Sequence, residues 1–581
     1  MAKIRVVEIS RFRAIRELKW LPAQGVNCLI GPGDSGKSSI LEAIDLCLGA
    51  RRSVTFCDAD FHALDTSEPI TVSLTIGDLD DSTKSLDIYG QFLRGFNSST
   101  GEVEDEPDSG LETVVTLVMT VGADLDPQWA LHSDRSRAAG ATRNLTWGDR
   151  QKLAPTRIGN YGDLHLAWRR GSVLHRLADE TIDVSAALAT VARDTRAAFG
   201  DQADIQLRKT LDIVQSAATG VGIDLGAGAK ALLDLQAVSF VGGSIALHDG
   251  DGVPLSGLGI GSTRLLVVAL QREVASKTGI ILLDELEHGL EPHRIIRLIG
   301  LLGAKDRPPR QQAFVTTHSP AALKEFAGDQ LFVVRKTATG HFVTSVGVSD
   351  DMQGTIRKYP EAFLAPSVLV CEGASEVGFV RGLSRYLTDK DLMGVSAYGV
   401  ALVDGGGSSP AELIKRALVF QSLGYRAAVF MDSDVLVEAA SEEPFVSSGG
   451  SVIRWEGDLA LEDALFRLLP DDTVEALINR AIELHGKGTI DANITSKSGG
   501  KVSLAQIEAE RAAGAYSTAT RTLLGQSAGT DGKKARKGGW FKSLGYMEEL
   551  TSDIVLPCHH NWNDQFGRTV KALWEWVKRG G

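Results

Sequence analysis

Glycines, a lysine and a serine are grouped near the start of this chain in an order that suits phosphate chemistry. The segment Gly31-Pro-Gly-Asp-Ser-Gly-Lys-Ser38 has the form G-x-x-x-x-G-K-S. In such a loop the backbone N–H groups surround the phosphates of a nucleotide, Lys37 reaches the β- and γ-phosphates, and Ser38 places its hydroxyl on Mg²⁺. The segment therefore predicts an ATP site, with contacts from Gly31, Asp34, Ser35, Gly36, Lys37, Ser38 and Ser39.

A second set of residues suited to the same chemistry lies much later in the chain. Residues 279–285 form an apolar run that ends in Asp284 and Glu285. Asp284 is predicted to hold the Mg²⁺ shell, and Glu285 to act as general base on the attacking water. The apolar run 312–316 then leads to His318, which is predicted to lie near the γ-phosphate.

The elements around these residues resemble an ABC-type ATPase head. A strand pattern precedes the phosphate loop and helical spacing follows it, and the segment Arg11-Phe-Arg-Ala-Ile-Arg16 resembles the start of SMC/RecF-type ATPases. Residues 255–264 resemble the ABC signature, in which Ser256 or Ser262 would contact the γ-phosphate held by the opposite protomer. Asp58 or Asp60 falls where these ATPases carry their Q-loop. One copy of each half-site predicts a homodimer, or a higher oligomer such as a tetramer.

Carboxylates follow several apolar runs in the last third of the chain. Glu372 and Glu376 follow the predicted strand 368–371, Asp432 and Asp434 follow the strand 427–431, and further acids lie in 455–463. Carboxyl ends of parallel strands meet at one edge of a sheet, where unpaired carboxylates would repel each other. Divalent cations with oxygen ligands relieve that repulsion, and two such ions can promote phosphodiester hydrolysis. The order predicts a two-metal site.

This order of acids resembles a Toprim domain, and its fusion to an SMC/RecF-like ATPase resembles the OLD (overcoming lysogenisation defect) family. That family includes the nuclease subunit of Gabija anti-phage systems. The resemblance implies that Glu372 and Glu376 bind one metal region and that Asp432 and Asp434 bind the other. It implies a further ligand from Glu456 or Glu462, and a lysine at the cleaved phosphate, either Lys537 or Lys542.

The predicted fold class is α/β, with an ABC-type ATPase head followed by a Toprim domain with a Rossmann-like parallel sheet. Residues 1–170 and 237–350 are predicted to be the two lobes of the head, and 171–236 a helical insertion suited to dimerisation. Residues 366–581 are predicted to be the Toprim domain, with a basic segment near its C-terminus. Residues 95–110 look like a mobile loop, and 130–160 like an irregular polar stretch whose arginines face DNA or solvent.

Composition places few limits on partners. The net charge of −13 does not exclude DNA, because a local basic face such as 533–537 can supply phosphate contacts. The five cysteines form no C-x-x-C pair, which indicates reduced thiols and a cytoplasmic protein. No apolar run approaches the length of a membrane span, and the N-terminus has no secretion signal.

The sequence thus supports two functions. The first is an ATP-regulated endonuclease that uses Mg²⁺ or Mn²⁺ to cut DNA, in anti-phage defence and with or without a helicase-like partner. The alternative is a RecF/SMC-like ATP-driven DNA clamp or repair factor with little nuclease activity. The sequence leaves open whether ATP activates or restrains cleavage, and whether RNA is also a substrate.

Overall fold

The computed structural model describes residues 2–158, 255–274, 279–529 and 539–579, apart from positions 52, 338, 436 and 438, together with four isolated helical residues at 190, 194, 208 and 212. The predicted insertion 171–236 and the segment 533–537, with Lys537, otherwise lie outside these residues. The chain divides into two compact units, 1–343 and 344–581, except that the short segments 30–35 and 333–335 group with the second unit.

An antiparallel sheet forms one layer of the first unit. Its strands are β1 (Lys3–Phe12), β2 (Ile15–Trp20), β4 (Ile70–Gly77), β5 (Leu93–Phe96), β6 (Val103–Glu104), β7 (Glu112–Val121) and β8 (Pro127–His132). They are ordered β2-β1-β4-β7-β5-β6, with β8 also beside β7. Alternating residues of β4, such as Ile70, Val72 and Leu74, are fully buried, as expected for a sheet with one covered face.

A second sheet carries the predicted ATP-site residues. Its strands are β3 (Val26–Ile30), β9 (Thr156–Ile158), β10 (Ile280–Leu283), β11 (Gln312–Thr316), β12 (Leu331–Lys336) and β13 (His341–Ser345), in the order β13-β12-β3-β11-β10-β9. The strands β3, β11, β10 and β9 run parallel. Every residue of β3, β10 and β11 is buried, as expected for inner strands of a largely parallel sheet, and the buried polar side chains of Asn27 and Gln312 are hydrogen-bonded.

The described helices of the first unit are α1 (Lys37–Leu48), α2 (Leu86–Tyr89), α3 (Asp134–Ala138), α4 (Trp147–Leu153), α5 (Ile260–Val274), α6 (Pro292–Leu301) and α7 (Pro320–Glu325). Helix α1 carries two acids, Glu42 and Asp45, that are held by arginines. Arg157 on β9 donates to both, at 3.0 Å each, and Arg13 lies 3.6 Å from Glu42. These pairs fix the helix that follows the phosphate loop against two other elements.

Two sequence predictions for this unit are corrected in part, although Arg137 and Arg143 are exposed to solvent as predicted. Residues 95–110 contain a β-hairpin, β5–β6, because Asn97 accepts N–H bonds from Ser99 and Thr100 and so closes a tight turn. Residues 130–160 contain α3, α4 and β9. Their arginines have partners within the protein: Asp105 and Leu93 for Arg135, Asp134 for Arg137, the Tyr89 ring for Arg143, Gly49 and the Trp129 ring for Arg150, and Glu42 and Asp45 for Arg157.

The second unit is built on a four-stranded parallel sheet. Its strands are β14 (Ser367–Cys371), β15 (Val400–Asp404), β16 (Arg426–Met431) and β17 (Ser451–Arg454), in the order β15-β14-β16-β17. Cys371 pairs with Asp404 on one side and with Phe430 on the other, so the three strands end together. The predicted strands 368–371 and 427–431 are therefore confirmed.

Helices surround this sheet and continue beyond it. They are α8 (Asp350–Lys358), α9 (Ala374–Thr388), α10 (Pro410–Ser422), α11 (Ala439–Ser447), α12 (Leu461–Leu468), α13 (Asp471–His485), α14 (Lys487–Lys497), α15 (Leu504–Ala512), α16 (Thr518–Ala528), α17 (Leu544–Leu550) and α18 (Asp564–Lys578). Helix α18 is amphipathic and buries Val570, Leu573 and Val577. Trp576 is also buried on that face, whereas Trp574 is only half-buried.

Candidate functional site

The phosphate loop has a backbone that requires glycine at two positions. Gly31 (φ 135°) approaches the carbonyl of Val334 so closely that a Cβ would lie 2.6 Å from its oxygen. Gly36 has a left-handed conformation (φ 86°) and directly precedes the first residue of α1. Lys37, the first residue of α1, is 5% exposed. The loop thus joins a buried strand to a helix N-terminus, the arrangement that binds nucleotide phosphates.

The predicted Mg²⁺ ligands of this loop are brought together by the parallel sheet. Ser38 lies in the first turn of α1, and Asp284 comes directly after β10. The Ser38 hydroxyl donates to Asp284 Oδ1 at 3.1 Å. Thr316, at the end of β11, donates to the same oxygen at 2.5 Å and accepts the Glu285 N–H at 2.8 Å. These oxygens fit Mg²⁺, which prefers such hard donors. Thr316 was not predicted, and its position one strand from Asp284 was the available signal.

Glu285 and His318 are held by residues that sequence reasoning did not select. Glu285 has a left-handed backbone (φ 48°), and its carbonyl accepts from the buried Arg264 at 2.6 Å. Burial lowers the pKa of Arg264, whereas the nearby carboxylates of Glu285, Asp284 and Glu287 act to raise it. Glu287 accepts the Thr317 hydroxyl at 2.6 Å and the His318 N–H at 2.7 Å. Glu287 therefore fixes the segment that carries His318, whose side chain is exposed.

The signature segment, residues 255–264, meets the turn after β10 where the backbones of Gly261 and Gly289 approach each other. A Cβ on Gly261 would overlap the carbonyl oxygen of Gly289, which itself has φ 73°. Ser262 accepts from Arg294 at 3.1 Å, so its hydroxyl already has a partner within the same unit. The side chain of Ser256 lies outside the described residues, and the choice between the two serines stays open. Of the two Q-loop candidates, Asp60 accepts from Arg13 at 2.9 Å, whereas Asp58 is exposed.

A second candidate site lies at the carboxyl edge of the parallel sheet in the second unit. Four acids form what we call the acid cluster: Glu372, Glu376, Asp432 and Glu462. Glu372 accepts the Asp432 N–H at 2.9 Å, and Asp432 accepts the Leu461 N–H at 2.9 Å. Glu376 accepts the Gly373 N–H at 2.8 Å, and Glu462 lies 3.5 Å from the Ser375 hydroxyl. Glu376 and Glu462 are 4% and 2% exposed.

The acid cluster is electrostatically unfavourable as it stands. Burial, followed by the charges of Glu462 and Glu372, raises the pKa of Glu376 to about 8. Burial and the other three acids, with Asp434, raise the pKa of Asp432 well above its usual range. The pKa values of Glu372 and Glu462 are also raised, chiefly by burial, and the positive charge of Lys542 opposes both shifts. These shifts are typical of acids that share a functional site.

The remaining predicted ligands differ in their surroundings. Asp434 is exposed, but its charge still raises the pKa values of Glu372 and Asp432. Glu456 is instead exposed and paired with Arg568 at 2.6 Å, and the hydrogen bond from this arginine lowers the pKa of Glu456. Glu462, not Glu456, therefore lies with the other acids. Of the two lysines, Lys542 is near the acid cluster, and Lys537 lies outside the described residues.

No group of three or more His, Cys, Asp or Glu side chains in the described part of the chain is arranged to hold a metal ion. Glu372, Glu376 and Asp432 each direct one carboxylate oxygen to a backbone N–H instead. The chemistry of the acid cluster nevertheless fits a divalent cation, since it offers only oxygen donors and an excess of negative charge. Cys28, Cys47 and Cys371 are buried free thiols, whereas Cys57 is exposed.

Comparisons with known proteins match the first unit. A family model described as an AAA domain matches residues 7–105, and another, described as "AAA domain, putative AbiEii toxin, Type IV TA system", matches 124–324. The DNA replication and repair protein RecF of Chlorobium limicola is 31% identical over 112 residues, 17% of this chain and 31% of that protein. RecF of Chlorobium phaeovibrioides is 28% identical over 112 residues, with 17% and 30% coverage. The chain thus spans less than a third of these relatives' length.

Solved structures that align with this chain include the Smc head domain of Pyrococcus furiosus, at 14% identity and a TM-score of 0.34, with 59% of this chain and 96% of that chain covered. RecF in a RecFOR-pathway structure is 11% identical, with a TM-score of 0.30 and coverage of 60% and 98%. The family-model matches and the phosphate-loop geometry together indicate an AAA-type ATP-binding domain in the first unit, and part of this chain is similar in sequence to RecF. No helix in the described residues is long and apolar enough to cross a membrane.

Proposed function

We propose that this chain is an ATP-regulated, divalent-metal-dependent DNA endonuclease, which cuts one or both strands. The observation that supports this most is the acid cluster, in which burial and the charges of neighbouring acids raise the pKa values of Glu376 and Asp432. Structural acids are normally paired with cations or exposed, as Glu456 is with Arg568. Acids that are buried together despite their repulsion are typical of a site that binds a positively charged ligand.

Glu372, Glu376, Asp432 and Glu462 would hold the divalent ions, with Asp434 at the exposed side. Bound Mg²⁺ or Mn²⁺ would supply Lewis acidity toward a phosphodiester. Lys542 contributes a fixed positive charge beside Glu372 and Glu462, where a phosphate would approach. Carboxylate oxygens that now accept backbone N–H bonds would turn toward the ions. DNA is the favoured substrate because of the resemblance to OLD nucleases and because the RecF relatives are named for DNA replication and repair.

The test is cleavage of supercoiled plasmid in Mg²⁺ or Mn²⁺, with and without ATP. Asp432→Ala should lower the cleavage rate by at least about 100-fold, since it removes a ligand from the centre of the acid cluster. Glu456→Ala is the matched control, because this acid pairs with Arg568 and should leave cleavage within about twofold of wild type. Equal cleavage by wild type and Asp432→Ala would refute the metal-site assignment.

A second candidate function is an ATP-driven DNA clamp or repair factor with little nuclease activity. It is favoured by the match to RecF and by the lack, among the described residues, of a group already arranged to hold an ion. DNA-stimulated ATP hydrolysis without cleavage in Mg²⁺, Mn²⁺ or Ca²⁺ would support this function over the first.

The OLD resemblance also suggests anti-phage defence, alone or with a helicase-like partner. Cells expressing the wild-type chain should then plate fewer phages than cells expressing Asp432→Ala. Equal plating by both strains, at equal protein levels, would remove nuclease-dependent defence from the proposal.

A further inference from the structure

A buried histidine lies against the phosphate loop without a hydrogen-bond partner. His341 begins β13 and is 4% exposed. Neither of its ring nitrogens, Nδ1 nor Nε2, has a partner within the described protein. Buried polar groups in proteins are nearly always hydrogen-bonded, and each one that is not lowers stability. An apolar residue at position 341 would avoid this loss of stability. The histidine therefore indicates a role other than packing.

The ring lies where three segments that surround the phosphate loop meet. A Cβ on Gly36 would lie 3.4 Å from His341 Nε2 and 3.4 Å from the side chain of Ile15. His62 is close enough for its charge to lower the pKa of His341, to which burial and Lys336 contribute as well. His341 thus lies beside the phosphate loop, close to where β2 begins at Ile15 and to His62.

These neighbouring segments are tightly joined to one another. His62 Nδ1 lies 2.8 Å from the Arg13 carbonyl, and Arg13 binds Asp60 through both its backbone and its guanidinium. The turn before β13 is pressed onto β2, since a Cβ on Gly340 would lie 2.8 Å from the Glu17 carbonyl oxygen. These contacts hold β13 in place, and the phosphate loop is the side on which Gly36 lies next to Nε2 of the ring.

We propose that His341 is a positioning residue for the ATP site, whose ring nitrogens gain a hydrogen-bond partner when a nucleoside triphosphate occupies the phosphate loop. A neutral imidazole offers one donor and one acceptor, so it can bond a loop N–H or hydroxyl that shifts as the phosphates bind. An interaction made only in the loaded state raises affinity for the nucleotide. The proposal rests on nucleotide binding at Gly31–Ser38.

The test compares His341→Met with wild type, using the non-hydrolysable analogue AMP-PNP and Mg²⁺. Methionine has a similar size and no ring nitrogens, so the nucleotide-free variant should unfold at the same or a higher temperature than wild type. Its affinity for AMP-PNP should fall roughly 3- to 10-fold, the worth of one or two hydrogen bonds, and the rise in unfolding temperature on binding should shrink. His341→Gln keeps a donor and an acceptor and should recover most of the affinity.

His132→Met, on β8, is the matched control and should bind AMP-PNP as wild type does. Equal AMP-PNP affinity in wild type and His341→Met would overturn the proposal, as would a ring already satisfied by ordered water. If the methionine variant does not fold, His341→Gln and His341→Ala decide by the same comparison, and equal affinity in these two would overturn it. Failure of wild type itself to bind AMP-PNP would instead refute the ATP site.

Discussion

A single hydroxyl, that of Thr316, links the Asp284 carboxylate to the backbone of Glu285 in the candidate ATP site. It donates to Asp284 and accepts from the backbone of Glu285. Thr316→Val keeps the shape but removes both bonds, so we expect ATP turnover to fall about 10-fold with little change in nucleotide affinity. Steady-state ATPase kinetics measure this effect. Thr120→Val, on β7, is the control, and a loss confined to KM would contradict the role given to Thr316.

The acid cluster should make the metal-free protein sensitive to pH. Glu376 has a folded pKa of about 8 against an ordinary value of 4.5, so the folded chain holds more protons than the unfolded chain between these values. The free energy of unfolding should therefore decrease as pH rises from about 5 to 8, by about 1.4 kcal/mol per unit of pKa shift at most. Thermal unfolding in EDTA across this range measures the slope.

Glu376→Gln should flatten that slope, because the neutral amide does not titrate. Glu456→Gln is the control, since its carboxylate is exposed and paired with Arg568. Mg²⁺ added at pH 8 should raise the unfolding temperature of wild type by several degrees and that of Glu376→Gln by less. A metal-free protein that is equally stable at pH 5 and pH 8 would be inconsistent with these buried acids.

At the scale of elements, α5 and the turn after β10 meet through two glycines. Gly261→Ala would force the carbonyl of Gly289 away, and overpacking of this kind typically costs about 1–3 kcal/mol. We expect ATP hydrolysis to fall at least about 10-fold, because the displaced turn follows Glu285 directly. Gly300→Ala, in α6, is the control, since nothing lies within 4 Å of its added Cβ. ATPase assays and circular dichroism separate lost activity from lost folding.

The elements that end at the two candidate sites could be predicted because their sequences repeat a simple pattern. Buried parallel strands are short apolar runs, and both Asp284 and Asp432 come directly after one. The choice between Glu456 and Glu462 could not be made, since both follow β17 within a few residues. It depends on Arg568, which is distant in sequence, and on the start of α12 at Leu461.

The arginines of 130–160 could not be assigned for a similar reason. Their partners include backbone carbonyls, aromatic rings and acids from other parts of the chain, such as Glu42 and Asp45 on α1 for Arg157. Thr316, Glu287 and Arg264 were missed because a threonine, a second glutamate or a helical arginine near a motif is common. Only the fold shows that each one supports Asp284, Glu285 or His318.

At the scale of the whole molecule, the ATP site has one phosphate loop and one signature segment, so it should be completed by a second copy of the chain. Glu285→Gln removes the predicted general base and should leave ATP bound, which should increase the dimer fraction in ATP. Lys37→Ala should abolish ATP hydrolysis and show no such increase. Sedimentation velocity with and without ATP measures both. A Glu285→Gln variant that stays monomeric in ATP would contradict the shared site.

The close approach of Gly261 to Gly289 also limits how this protein can evolve. Gly261 cannot gain a side chain while the Gly289 carbonyl stays in place, and Gly289 has φ 73° and would have a Cβ 3.2 Å from the Gly261 nitrogen, so the first substitution is harmful at either position. Neighbouring signature letters have no such restriction, and this chain indeed departs from L-S-G-G-Q there. Among descendants of this sequence, we expect the two glycines to be inherited together while the residues between Leu255 and Ile260 drift.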